Sequence, residues 1–287
     1  MTKKFVDIMR TDHSHWVGDG FRVRSLFSYN GDTSVISPFL LLDYGDPTFF
    51  PPNEGAPRGV GQHPHRGFET VTIVYDGEVS HRDSHGGGGT IGKGDVQWMT
   101  AGSGVIHEEF HSKAYSEKGG PFRMVQLWVN LPAKDKMAPP RYQAILNQEI
   151  PVVDIEGGKA RLIAGETSGT KGPASTFTPI NIWDVTLDRT GDVTLDLPDG
   201  HTSLVVVMSG RIYVGDRWVN AGEIARYSVE GEGASFTAGE DVRLLVLTGE
   251  PIDEPVVGHG PFVMNTREEI MQAFQDFQSG QFGQMPV

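Results

Sequence analysis

The sequence predicts an all-β protein with two repeated halves and one short helix near its C-terminal end. Short apolar runs separated by turn residues fill most of the 287 residues. Glycine (37) and proline (18) are abundant, which is typical of many short strands joined by turns. A segment of the first half also recurs in the second. A chain of this length can form two domains, each with its own core.

The predicted strands are the runs richest in β-branched and aromatic residues. They cover residues 39–42, 70–75 and 124–129 in the first half, and 180–187, 203–208, 211–214 and 242–247 in the second. Between the halves, residues 131–140 are polar, charged and rich in proline. We therefore predict an N-terminal domain at residues 1–132, a linker at 133–140 and a C-terminal domain at 141–287.

The end of the chain has a helical pattern instead. Thr266 and Glu269 form a capping-box pair, and Gly280 is a typical stop signal. Apolar residues at helical spacing lie between them: Ile270, Ala273, Phe274 and Phe277. We expect one amphipathic helix that packs on a sheet through this apolar face.

Composition excludes several classes of function. The formal net charge is -13 and the basic residues form no run, which argues against direct binding of nucleic acid. The absence of cysteine excludes disulfides, thiolate metal sites and cysteine nucleophiles. The first residues lack the apolar core of a signal peptide, and no apolar run is long enough to span a bilayer. We expect a cytoplasmic protein without a membrane partner.

Two short histidine motifs predict a metal site. Residues i and i+2 of a strand point to the same face, so His63 pairs with His65, and His107 pairs with Glu109. We expect a β-meander between the motifs to bring the two pairs together. Imidazole and carboxylate ligands without thiolate suit one divalent first-row metal: Fe, Mn, Co, Ni, Cu or Zn.

The second half does not repeat these motifs. Residues 73–79 resemble residues 206–212, and Gly94-Asp95 resembles Gly222-Glu223, which fixes the register of the repeat. In that register the first motif falls on residues 196–199, and the second falls on Ser235 and Thr237. Because no histidine pair stands there, we expect only the first half to hold metal.

Longer motifs resemble a known family. Residues 59–77 and 94–109 are similar to the two motifs of the cupin superfamily, although Pro57 stands where the first motif opens with glycine. Residues 63–71, 94–102, 126–132 and 260–266 resemble the pirin family of bicupins. The resemblance extends over nearly the whole chain.

This resemblance implies two tandem cupin (jelly-roll) barrels, with Fe(II) in the N-terminal barrel. By position, its ligands are His63, His65, His107 and Glu109. The implied activity is that of a quercetin 2,3-dioxygenase, which opens the ring of a flavonol with O2. Its substrate is a small aromatic enol or phenol, and Glu109 takes the proton of that substrate. Glu69 stands where many cupins place their carboxylate ligand, so it competes with Glu109 for both roles.

A second function fits the same resemblance. Some pirins act as iron-containing regulators that respond to redox state through a protein partner, either a transcription factor or a metabolic enzyme. A dioxygenase needs a metal that substrate can reach, whereas a redox sensor needs partner binding that changes with oxidation state.

Other polar residues near the motifs have simpler interpretations. His81, Asp83 and His85 alternate, and we favour a polar strand edge over a second metal site. The glycine run at residues 86–89 predicts a flexible turn, because no phosphate-binding lysine or helix follows it. Five residues are candidates for the pocket wall, with core packing or strand pairing as the default: Phe39, Phe68, Trp98, Gln126 and Trp128.

Overall fold

A computed structural model describes residues 1–286 and divides the chain into two compact units. Unit 1 comprises Met1–Asp12, Ser34–Pro38 and Gln148–Ile252. Unit 2 comprises His13–Thr33, Phe39–Asn147 and the chain from Asp253 onward. Each unit is therefore assembled from segments that lie far apart in the sequence.

Strands dominate both units. The first thirteen are β1 (Phe5–Met9), β2 (His15–Val17), β3 (Phe21–Ser28), β4 (Phe39–Gly45), β5 (Thr48–Phe50), β6 (Gly59–His65), β7 (Phe68–Asp76), β8 (Val79–Asp83), β9 (Gly88–Ile91), β10 (Val96–Thr100), β11 (Val105–His111), β12 (Gly120–Asn130) and β13 (Arg141–Ile145). The others are β14 (Val152–Ile155), β15 (Gly158–Ala164), β16 (Glu166–Thr167), β17 (Thr170–Lys171), β18 (Ile180–Leu187), β19 (Gly191–Leu195), β20 (Thr202–Ser209), β21 (Arg211–Val214), β22 (Arg217–Asn220), β23 (Ile224–Tyr227), β24 (Ala234–Ala238), β25 (Arg243–Gly249), β26 (Val257–His259) and β27 (Phe262–Met264).

Helical structure is sparse. The α-helices are α1 (Lys113–Lys118) and α2 (Arg267–Gln278), and single 3-10 turns occur at Thr33–Val35, Ala133–Asp135 and Asn147–Glu149. The predicted capping box is present on α2, because the Thr266 hydroxyl accepts from the Glu269 N–H and the Glu269 carboxylate accepts from the Thr266 N–H. In residues 1–286, no helix is long and apolar enough to cross a membrane.

Unit 2 contains two sheets. Its larger sheet has the order β13-β10-β7-β12-β4-β3-β2, and β5 also pairs with β12. The smaller sheet has the order β6-β11-β8-β9. The expected meander between the histidine motifs is wrong, because β6 pairs directly with β11 while β7 and β10 join the other sheet. An aromatic and aliphatic cluster fills part of this unit: Phe21, Val23, Phe50, Val74, Val79, Ile91, Tyr115, Phe122 and Met124.

Unit 1 repeats this arrangement with different side chains. Its sheets have the orders β1-β23-β20-β25-β18-β15-β14 and β19-β24-β21-β22. Its core is mainly aliphatic, with Leu162, Val185, Val205, Ile212 and Leu244 among the fully buried members. Every strand predicted in the two halves is observed, although β25 begins at Arg243, one residue after the predicted start at Val242. The all-β class with two repeated barrels is confirmed.

The units do not follow the boundaries predicted at residues 132 and 141. Strand β1 pairs with β23, so the start of the chain belongs to unit 1. Strand β13 extends the larger sheet of unit 2 by pairing with β10, and α2 also belongs to that unit. The predicted linker is itself packed: Lys136 is buried and donates to the carbonyls of Gly67 and Val263 and to Asn130 Oδ1. These pairings join distant segments, which a local change in composition does not reveal.

Candidate metal centre

Direct pairing of β6 with β11 places the two histidine motifs side by side. In this antiparallel pair His63 stands opposite His107. A bulge follows, because Glu109 stands opposite Val60. Between these two pairs β6 contains one more residue than β11. The imidazole centroids of His63, His65 and His107 lie 4.2–4.9 Å apart. One candidate ligand atom from each of the three lies within 4.8 Å of the others.

Hydrogen bonds orient each of these imidazoles. His63 Nδ1 lies 2.8 Å from the carbonyl of Gly61, and His65 Nδ1 lies 3.3 Å from the carbonyl of Pro261. A carbonyl can only accept, so both Nδ1 atoms carry the proton and both Nε2 atoms keep a free lone pair. His107 Nδ1 is engaged as well, 3.3 Å from His81 Nδ1. In all three side chains Nδ1 is engaged in a hydrogen bond, so Nε2 is the nitrogen that could bind a metal.

Burial makes this cluster fit a metal ion. His107 Nε2 is buried and has no hydrogen-bond partner among the described residues, which is costly for a polar atom unless a ligand fills the position. Burial lowers the pKa values of His65 and His107 well below the usual range, and the neighbouring imidazoles lower them further. Both rings are therefore neutral at pH 7, the form that binds metal.

Glu109 adds a carboxylate to the cluster through His107. One of its oxygens, one nitrogen of His107 and one of His81 lie within 4.8 Å of one another. Its Oε1 accepts from Gln97 Nε2 and from the Thr72 hydroxyl, and its Oε2 accepts from Gln126 Nε2 at 3.0 Å. Gln126 therefore contacts the site rather than serving strand pairing alone. Neutral donors hold this carboxylate in place, and it forms no salt bridge with a lysine or arginine of residues 1–286.

Glu69 lies on the other face of β7. It is separated by three residues from Thr72, whose side chain contacts Glu109, so the two side chains point to opposite sides of the strand. Its carboxylate accepts from the Thr100 hydroxyl at 2.6 Å and lies 3.9 Å from Arg141. It joins neither grouping of candidate ligands found in residues 1–286. The geometry therefore favours Glu109 over Glu69.

The sequence interpretation of His81 and Asp83 as a polar strand edge is wrong. Both side chains are buried, and β8 lies beside β11 so that Glu109 stands opposite His81 and His107 opposite Asp83. Only His85 of that alternating set is exposed. The alternation was visible in the sequence, but the β8–β11 pairing that brings it to the site was not.

The candidate pocket aromatics are mostly core residues. Phe39, Phe68 and Trp98 are fully buried, as the default interpretation predicts. Trp128 is only partly buried; it stacks on Phe68 at 4.2 Å and lies 5.2 Å from the His65 ring. Trp128 and Phe68 thus form an aromatic wall beside His65.

Unit 1 offers no equivalent cluster among the residues that the structure describes. The positions that correspond to the second motif carry hydroxyls: Ser235 contacts the Thr194 hydroxyl, and Thr237 donates to Asp192. One cavity of this unit, of about 610 Å³, is lined by residues that include Arg189, Asp241 and Arg243, and no histidine is among its lining residues.

Two β-barrels in one chain, with a histidine cluster on paired strands of one barrel, define a bicupin. The Pirin family model matches residues 20–129, and the Pirin C-terminal cupin domain model matches residues 182–283. Human Pirin is 39% identical over 272 residues, which cover 93% of this chain and 89% of the human protein. The chain belongs to the pirin family.

Two bacterial relatives are more similar still. A Pseudomonas aeruginosa protein, provisionally named a quercetin 2,3-dioxygenase, is 56% identical over 282 residues, with 98% of each chain covered. The crystal structure of quercetin 2,3-dioxygenase from Acinetobacter baumannii shares 54% identity and a TM-score of 0.95, with 99% of each chain covered.

Proposed function

We propose that this protein is a metal-dependent dioxygenase that opens the ring of a flavonol such as quercetin. His63, His65, His107 and Glu109 hold one divalent metal, for which Fe(II) is our first choice. The observation that carries this proposal is the shared orientation of three imidazoles, each with Nδ1 occupied, around the unpartnered Nε2 of His107. The names of the two bacterial relatives supply the substrate class.

The charge of the centre favours an anionic oxygen donor. A dication with three neutral imidazoles and one carboxylate keeps a net charge of about +1, because metal binding requires those protonation states. A bound divalent metal supplies Lewis acidity toward an enol or phenol oxygen and, as iron, electrons for chemistry with O2. Four protein ligands leave room for substrate on a metal that accepts five or six.

The residues around the centre bind and deprotonate the substrate. His63 is only partly buried, so substrate approaches the cluster from its side. Trp128, which is only partly buried and lies 5.2 Å from the His65 ring, offers an apolar surface for an aromatic ring, and the buried Phe68 stacks behind it. Glu109 accepts the hydroxyl proton of the substrate, and Gln97 and Gln126 keep its carboxylate aligned.

Oxygen uptake tests the proposal. The protein is loaded anaerobically with one equivalent of Fe(II), and O2 consumption is followed after quercetin and air are admitted. We expect uptake in the wild type and in the His85→Ala control, whose side chain is exposed, but none in His63→Ala. No uptake by wild type with one bound iron would refute the dioxygenase proposal and favour the regulatory alternative.

The role of Glu109 has its own test. Glu109→Gln keeps the shape of the side chain but removes the proton acceptor, so we expect turnover to fall by roughly 10²–10⁴-fold, the usual contribution of a general base. Metal content is measured on the same samples, because loss of iron would reveal the ligand role instead. Unchanged turnover with iron retained would exclude Glu109 as the base.

A further inference from the structure

His107 differs from the other two histidines in the partner of its Nδ1 atom. His63 and His65 donate to main-chain carbonyls, whereas His107 Nδ1 faces the imidazole of His81. The His81 ring continues to Asp83, because His81 Nε2 lies 3.3 Å from Asp83 Oδ2. The side chains of His81 and Asp83 are 0% and 4% exposed, so water does not compete for these bonds.

The position of each proton in this series of hydrogen bonds follows from Asp83, the carboxylate at its end. Asp83 Oδ1 already accepts from the N–H groups of His85 at 2.8 Å and Gly87 at 3.0 Å. A carboxylate anchored by such donors only accepts, so His81 Nε2 carries a proton. Since His107 is neutral and presents Nε2 to the metal in the proposed site, its one proton lies on Nδ1 and is donated to His81 Nδ1. His107 Nε2 is thereby left with its lone pair.

The surroundings fix this series of hydrogen bonds. Tyr142 stacks on the His81 ring at 4.9 Å, with 14° between the planes. A Cβ at Gly87 would lie 2.3 Å from Asp83 Oδ2 and 2.7 Å from Tyr142 Cβ, so only glycine fits there. The glycine run that we interpreted as a flexible turn therefore holds the Asp83 carboxylate in place.

We propose that His81 and Asp83 are positioning residues that fix His107 as an Nε2 ligand and strengthen its bond to the metal. An imidazole backed by a carboxylate is a better acceptor than a peptide carbonyl, so it makes the imidazole that donates to it more basic. His107 is therefore the strongest of the three nitrogen ligands. This inference rests on the proposed metal site, but it does not depend on the substrate or on O2.

Metal binding to the intact protein tests the inference. Co(II) serves as the probe, because its visible absorption reports ligand geometry while its titration gives an affinity. Asp83→Asn and His81→Asn should each weaken Co(II) binding by roughly 10–100-fold, the usual cost of removing such a partner. Saturation should stay at one equivalent with a shifted spectrum. The exposed His13→Asn, in the same unit, is the matched control and should bind as wild type does.

A double-mutant cycle separates positioning from general damage. In the proposed series of hydrogen bonds Asp83 acts only through His81. Asp83→Asn should therefore cause little further loss of Co(II) affinity in the His81→Asn background. Additive losses, or normal affinity in Asp83→Asn, would overturn the inference. So would a His81→Asn protein that no longer saturates, because His81 would then be a ligand itself. Wild type that fails to bind Co(II) would refute the metal site as well.

A measurement on wild type covers the case in which the variants do not fold. Nitrogen-15 NMR of labelled histidines in the Zn(II)-loaded protein reads the tautomer of each ring. We expect His81 to be protonated on Nε2 and bare on Nδ1, and His107 to be protonated on Nδ1. A proton on His81 Nδ1 would contradict the proposed hydrogen bond from His107 Nδ1 to His81 Nδ1.

Discussion

Glu69 and Glu109 carry the same carboxylate but lie in different surroundings. Glu109 accepts hydrogen bonds from two amides and a hydroxyl. Glu69 is buried with one hydroxyl donor and a distant guanidinium. Burial raises the pKa of Glu69 to about 7, although Thr100 opposes the shift. The Glu69 carboxyl therefore stays neutral in weak acid.

Glu69 makes stability depend on pH. The unfolded chain releases this proton near pH 4.5 and the folded chain near pH 7, so stability is lost as pH rises through this interval. A shift of about 2.5 units corresponds to about 3 kcal/mol. Glu69→Gln stays neutral, so the metal-free variant should gain up to about that amount relative to wild type at pH 8 and nothing at pH 4.

Urea unfolding across this pH range measures the difference. The exposed Glu54→Gln in the same unit is the control, and its free energy of unfolding should follow that of wild type. Parallel curves for Glu69→Gln and wild type would show that the Glu69 carboxyl does not set this dependence.

At the scale of elements, the C-terminal strap (residues 260–264) supports the candidate metal centre. Pro261 supplies the carbonyl for His65, and Phe262 forms a parallel bridge with Arg66. Gly67 completes the contact, since its φ is +89° and a Cβ there would lie 2.0 Å from the Val263 carbonyl oxygen. Helix α2 follows the strap and is tied to Arg66 through Asp276 at 2.8 Å. The orientation of His65 thus depends on a segment almost two hundred residues away.

Breaking the tie between α2 and Arg66 tests this dependence. Asp276→Ala leaves a buried guanidinium without its carboxylate, so we expect a loss of about 3 kcal/mol in the free energy of unfolding. Co(II) affinity should fall by roughly tenfold, because the partner of His65 loosens. Gln275→Ala, at an exposed position of the same helix, should change neither quantity. Loss of stability with normal Co(II) affinity would show that the strap does not position His65.

The alternation of side chains along a strand was enough to predict the pairing within each motif. His63 and His65 lie on one strand face, and so do His107 and Glu109. It did not reveal His81 and Asp83, whose approach depends on the register of β8 against β11. The capping box at Thr266 is a local signal and was confirmed. Sequence patterns thus predict what one element encodes, whereas contacts between distant elements appear only in the folded chain.

At the scale of the whole molecule, contacts between distant elements explain why the two units differ from the predicted domains. Strand β1 joins unit 1 through the pairing of Phe5 with Tyr227, and α2 joins unit 2 through Asp276 and Arg66. Neither partner lies near its mate in sequence. The predicted boundary after residue 132 followed a change in composition, which marks turns and proline but carries no record of such pairings.

Charge also acts at two scales. The formal net charge of -13 disfavours anions at long range, but salt screens such fields within about 8 Å at physiological ionic strength. In the proposed site the local charge would be about +1 with a divalent metal bound, and it would decide which group binds there. A flavonol that arrives neutral and loses its proton at the site would satisfy both conditions.

In the proposed mechanism the substrate binds the metal as an anion, and an anaerobic quercetin titration measures this binding. Protein loaded with one equivalent of Fe(II) is titrated without O2 while the flavonol absorption is recorded. We predict a shift to longer wavelength with an endpoint at one equivalent, absent from metal-free protein and from His63→Ala. No shift at full metal occupancy, or the same shift without metal, would show that quercetin does not bind the metal as an anion.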